Sequence, residues 1–116
     1  MSEKTPDDKS VSLHEAQDWV RQFCAERGWD PFHGPKDLAI GLVTEGSELL
    51  ELFRFVSEVE LEQRIREPKL RAEIADELAD SLYFILRFAQ LYGFDLSQCL
   101  QQKLVKNARK YPKATD

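Results

Sequence analysis

Ile74-Ala75-Asp76-Glu77-Leu78-Ala79-Asp80-Ser81-Leu82-Tyr83-Phe84-Ile85-Leu86-Arg87-Phe88-Ala89-Gln90-Leu91-Tyr92 is a helical stretch whose apolar side chains cover far more than one stripe. A helix apolar on most sides must be covered on most sides. The helices of one small chain can scarcely do that, so a homo-oligomer is expected to complete the core. Within the same run Glu77 and Asp80 stand three residues apart, and Leu42-Val43-Thr44-Glu45-Gly46-Ser47-Glu48-Leu49-Leu50 repeats the device with Glu45 and Glu48. Residues three apart share a helix face, so each pair presents two carboxylates to one point in space.

Two readings of these acids stand side by side. In most proteins such a pair is a solvated helix face. Here, however, Leu42, Leu49, Leu78 and Leu82 crowd both pairs in sequence, and each pair lies mid-helix, away from the first turn where acids serve the macrodipole. Anions among leucines are costly unless something positive sits between them. Two bare carboxylates ~4 Å apart repel by about 4 kcal/mol at an effective dielectric of roughly 20. If the two helices pack antiparallel at the usual ~8–10 Å, Glu45, Glu48, Glu77 and Asp80 come close enough to share a cation. Oxygen-only ligation favours Mg²⁺ or Mn²⁺ over zinc or copper, and a hard ion held by carboxylates suggests phosphate chemistry. Glu51 and Asp76 read as surface groups. A carboxylate di-iron centre needs Glu-x-x-His on paired helices, which His14 and His33 do not supply.

The rest of the chain fits an all-α protein. With 116 residues, 32% charged and 42% hydrophobic, it is one globular domain rather than a disordered or fibrous chain. Alternating strand-like runs are absent. Residues 1–10 read as a loose arm, 11–112 as the helical domain and 113–116 as a tail. Ser12-Leu13-His14-Glu15 is a capping box opening a first helix that Gly28 closes. Trp29-Asp30-Pro31-Phe32-His33-Gly34-Pro35 is an aromatic loop. A second helix is predicted from about Lys36 to Phe55, and a third from about Lys69 to Tyr92, stopped by Gly93. A fourth, capped by Asp95 or Ser97, runs to about Lys110. Ser57–Glu67 is a short helix or a solvated connection. The expected architecture is a four-helix bundle-like protomer, plus that possible connecting helix.

A net charge of −5 weighs against a nucleic-acid binder. Yet no acid occurs from Leu96 to Thr115, where Lys103, Lys106, Arg109, Lys110 and Lys113 accumulate. That segment suits either an anionic small molecule or, more simply, the C-terminal end of a helix dipole. Cys24 and Cys99 lack zinc-ligand spacing and read as reduced core or boundary residues. No signal peptide or membrane-spanning run is evident, so no membrane partner and a cytoplasmic location are expected.

The runs Leu42–Phe53 and Ile74–Asp80 together resemble the MazG-like nucleoside triphosphate pyrophosphohydrolases of the all-α pyrophosphatase superfamily, with their signature Glu-Glu-x-x-Glu, a spacer, then Glu-x-x-Asp. The likeness extends through Ala25–His33 and Lys103–Pro112, covers roughly residues 12–112, and is nearest the dCTP pyrophosphatase branch. It implies Mg²⁺ held by Glu45, Glu48, Glu77 and Asp80, and water attack on the α-phosphorus to give nucleoside monophosphate and pyrophosphate. It also implies triphosphate contacts from Lys103, Asn107 and Tyr111, and assembly as a dimer or tetramer. Trp29 and His33 are candidate base contacts. Phe55 and Phe84 stand where dCTP-cleaving relatives tend to have Trp and Tyr, Val20 where some have His, and Thr44 where many relatives have the first glutamate. Stacking on Trp29 and Phe55 does not depend on the polar groups lost there. A glutamate not fully used in ligation can take the water's proton, and Glu48 is the candidate. Rival substrates are dUTP, an oxidised nucleotide or phosphoribosyl-ATP; a non-catalytic helical interaction module is the rival outside enzymes.

Overall fold

In this computed structural model residues 5–114 are described. The ends of the expected arm and tail, residues 1–4 and 115–116, lie outside them. Five α-helices follow in order: α1 Leu13–Glu26, α2 Pro35–Phe53, α3 Glu58–Arg64, α4 Pro68–Tyr92 and α5 Leu96–Lys110, with a 3₁₀ turn at Asp30–Phe32. No strand occurs among the described residues, so the all-α expectation holds.

The helix ends follow local chemistry. Ser12 Oγ accepts from the Glu15 amide at 3.0 Å while Glu15 Oε1 accepts from the Ser12 amide at 3.3 Å, closing the capping box of α1. At its other end Gly28 has φ +65°, its amide bonds to Ala25 O and the Trp29 amide bonds to Cys24 O. This is a Schellman closure, and its usual apolar contact is present: Trp29 meets Phe23 edge-on at 5.6 Å. α4 also ends at a left-handed glycine: the Gly93 and Phe94 amides both donate to Ala89 O, and Phe94 folds back beside Phe88 at 6.0 Å. Asp95, not Ser97, caps α5 by accepting from the Gln98 amide at 3.0 Å.

One boundary differs from expectation, and of the two readings of Ser57–Glu67 the helix holds. α2 stops at Phe53, two residues short, because Arg54 is extended and Phe55 takes a left-handed φ of 65° that no α-helix can continue. The charged stretch after it does form a helix, α3, with Ser57 as its cap.

Both α1 and α2 pack on α4. Residue numbers rise along α2 as their neighbours fall along α4 (Gly41 against Phe84, Glu48 beside Glu77), so these two run antiparallel. The core is small: Cys24, Leu38, Leu61, Leu70, Leu86 and Ala89 are buried. α5 makes few contacts with the rest of its own chain and leaves Leu100, Leu104 and Val105 about half exposed. That separates the two cysteines, Cys24 buried and Cys99 on the bare α5. It also means that the fourth place of a bundle is not filled by the protomer's own α5. Leu42, Leu78 and Leu82, expected to crowd the acids, are exposed in the protomer; Leu49 is half-buried. The radius of gyration is 17.5 Å, against about 13 Å for a compact domain of this length. No helix among the described residues is long and apolar enough to cross a membrane.

Candidate functional site

The antiparallel pairing of α2 and α4 brings Glu45, Glu48 and Glu77 together, each offering a carboxylate oxygen within 4.8 Å of the others. Gly41 sets the approach of the helices. A methyl group there would overlap the Phe84 ring, so only a glycine lets Phe84 sit against α2 one turn from Glu45. Asp80 lies outside the trio and is exposed, yet it is near enough to disfavour ionisation of both Glu45 and Glu77.

Electrostatics at the cluster are unbalanced. Burial first, and then Glu48, Glu77 and Asp80, push the Glu45 carboxyl up to about 7. Glu77 is raised for the same leading reason, with Glu48 the next contributor. Each of the two also buries one oxygen, Oε2, that has no hydrogen-bond partner among the described residues. A buried acceptor without a donor is an unmet cost, and among the described residues no Lys or Arg forms a salt bridge with either acid. Clustered hard oxygens with unused lone pairs fit a divalent cation of the Mg²⁺ or Mn²⁺ type and do not suit a softer metal. The solvated-face reading accounts for Glu51 and Asp76, which are exposed, but not for the two orphaned oxygens.

The aromatic segment is built separately. Trp29 is part-exposed at 39% and meets His33 at 6.1 Å between ring centroids. His33 Nδ1 accepts from Arg87 Nε at 2.9 Å. Phe84 is half-buried against Gly41 and Tyr83, whereas Phe55 is 93% exposed beyond the end of α2, two turns past Glu48, with the Arg54 guanidinium 4.6 Å from its ring. Val20 lines a small apolar hollow with Trp19, Phe23 and Tyr83. Lys103, half-buried Asn107 and exposed Tyr111 lie on or just after α5, and no hydrogen bond or salt bridge among the described residues joins them to the acids. A cleft of about 700 Å³ lies elsewhere, between the start of α1 and the α4–α5 turn. It holds none of the acids, which occupy an open face; the chemistry of the donor set, not cavity size, marks the site.

Sequence reasoning passed over Arg87, Asp30, Gln90 and Gly41. An arginine inside Leu86-Arg87-Phe88 was a signal, since a charge in an apolar run needs partners.

A family model described as MazG-like matches residues 42–116, which include both acidic pairs. The chain belongs to the MazG-like family. This MazG-like chain is also 38% identical over 91 residues to dCTP pyrophosphatase 1 of Mus musculus and 36% identical to that of Homo sapiens. Each match covers 78% of this chain and 54% of the relative, so the chain spans about half the length of those proteins. A solved structure, a pyrophosphatase from Archaeoglobus fulgidus DSM 4304, superposes with a TM-score of 0.80 at 31% identity. It covers 97% of this chain and 100% of its own, so the likeness takes in α1 and α5 as well as the acids.

Proposed function

We propose that this MazG-like chain hydrolyses a nucleoside triphosphate, dCTP or a modified dCTP in the first instance, to the monophosphate and pyrophosphate. The observation that carries this reading is the carboxylate cluster of Glu45, Glu48 and Glu77 with its two unsatisfied buried oxygens. Its likeness to proteins named dCTP pyrophosphatase supports the choice of substrate.

Glu45, Glu48 and Glu77, with Asp80 beside them, would hold Mg²⁺, with Mn²⁺ as a substitute. Bound there, the ion would supply charge neutralisation at the phosphates and an acidified water. Glu48, the exposed member of the trio, accepts the proton as a water oxygen bonds to the α-phosphorus. The α–β anhydride bond breaks and its electron pair leaves with pyrophosphate. Lys103 offsets that charge with help from Tyr111, while Asn107 orients the phosphates. Trp29, Phe55, Phe84 and His33 form the base side of the site.

Because α5 scarcely packs on its own chain, the site is completed in a homo-oligomer, dimer or tetramer. Apolar Val43, Leu50, Leu78, Leu100 and Leu104 are the side chains it would cover, all more than half exposed in the protomer. Light scattering coupled to size exclusion reads the mass directly; a monomer at micromolar concentration overturns this step.

The deciding experiment is a panel of canonical and modified triphosphates with Mg²⁺, with products resolved by ³¹P NMR. Pyrophosphate should appear in equal amount with monophosphate. Orthophosphate with nucleoside diphosphate would place the cut at the wrong bond, and an inert panel would remove the reading.

A further inference from the structure

Arg87 is wholly buried on α4, and its planar fork is satisfied on three sides. Nε donates to His33 Nδ1 at 2.9 Å, one terminal nitrogen donates to Gln90 Oε1 at 2.6 Å, and the other donates to Asp30 Oδ1. Two of the three acceptors belong to the segment between α1 and α2. Helix α4 therefore grips that segment through a single guanidinium, and the segment carries Trp29.

The grip has a chemical consequence at His33. An imidazole nitrogen that accepts a hydrogen bond carries no proton, so the neutral ring must carry its proton on Nε2. Burial and the Arg87 charge both hold His33 below its ordinary range, which keeps the ring neutral at physiological pH. Among the described residues no protein acceptor takes the Nε2 proton, and Nε2 is not one of the buried atoms left without a partner. That donor is open to a ligand. Trp29 stands beside it, part-exposed, with its ring 6.1 Å from that of His33. Arg87 is two helical turns from Asp80, on the same side of α4 and about 10 Å along its axis.

We propose that Arg87 is a positioning residue of the nucleotide site: by occupying His33 Nδ1 and the Asp30 carboxylate, it fixes the Trp29–His33 segment and leaves His33 Nε2–H to donate to a keto oxygen or bare ring nitrogen of the base. This rests on the nucleotide reading above, and the test separates the two.

The chain has two histidines, so ¹⁵N imidazole spectra are assigned with one variant, His14→Gln. Wild type should show His33 protonated on Nε2 alone, and Arg87→Met should give mixed tautomers and a raised KM, with thermal unfolding confirming that the variant is folded. A wild-type His33 protonated on Nδ1 overturns the proposal whatever the activity. His33→Asn places an amide oxygen where Nδ1 was, keeping an acceptor for Arg87, but lacks the outward donor. It should raise KM about tenfold with kcat little changed. His33→Gln, whose amide nitrogen reaches the Nε2 position, should recover part of that loss. An unchanged KM in His33→Asn, or equal losses in both variants, overturns the donor role. If wild type turns over no nucleotide, the activity reading fails instead. Binding of a non-hydrolysable dCTP analogue, followed at the His33 Nε2 resonance, then decides: a shift sustains the donor role and an unmoved resonance ends it.

Discussion

Helix α4 carries charge into the packed side of the molecule at two places, and the two differ in how that charge is met. Around Arg87 every direction of the fork finds an acceptor, although the guanidinium is entirely out of water. Around Glu77, two turns and more towards the N-terminus, carboxylates face carboxylates and two oxygens find nothing. A finished network holds a loop; an unfinished one of a single sign suits a cation. The contrast separates buried charge that the chain itself satisfies from buried charge that it does not.

The largest effect should come from the unfinished cluster. Glu48→Gln or Asp80→Asn should lower turnover at least about 100-fold while far-UV circular dichroism stays helical. Turnover unchanged in both variants would falsify the site. At the finished cluster the expected loss is one of stability instead. Asp30→Ala leaves Arg87 without its only carboxylate among the described residues and should cost about 3 kcal/mol in urea unfolding, the low end for breaking a buried pair because Asp30 itself is largely exposed. Arg87→Met should cost less, since the stranded Asp30 can be hydrated. The reverse order would mean that packing, not charge, dominates there.

A third substitution tests what joins the regions. Gly41→Ala forces a methyl into the Phe84 ring, and overpacking of this kind costs about 1–3 kcal/mol. Because Gly41 lies one turn before Glu45, the shift should also weaken Mg²⁺ binding, measured by titration calorimetry. Phe84→Leu in the same chain should recover much of both. Failure of that rescue would show that the helix spacing is set elsewhere.

How much of this was legible in the sequence follows from which interactions are local. The caps at Ser12 and Asp95 and the stop at Gly93 are written within four residues, and the acids announce themselves by spacing. The antiparallel pairing of α2 with α4, stated only as a condition on the acids meeting, is what the structure adds. The end of α2 was misjudged because Phe55 is helix-compatible by type, and its left-handed backbone has no local signature. The Arg87 clamp joins residues more than fifty apart, so periodicity alone gave no partner. Apolar pattern likewise overstated burial: Leu78 and Leu82 are core-like in sequence yet about half exposed in one chain.

The smallest effect concerns acidity at the unfinished cluster. Glu45 titrates near 7 when folded against an ordinary 4.5, so the folded state holds its proton more tightly than the unfolded chain does. That linkage stabilises the metal-free protein at low pH and is lost as pH rises through about 7. His33 is shifted the opposite way and favours the folded state as pH rises, a contribution complete only about one unit above the ordinary 6.5. Between pH 6.5 and 8 the two oppose each other, so Glu45 is isolated in a His33→Gln background, where stability in EDTA should fall by less than about 1 kcal/mol after screening by water. Mg²⁺ should reverse the slope, because its ligands must be ionised and its binding strengthens as they lose protons. Glu45→Gln should flatten the metal-free slope and abolish much of the reversal. A slope in EDTA that persists unchanged in Glu45→Gln would assign the acidity to another group, and the contrast between the two charged regions of α4 would then lose its electrostatic basis.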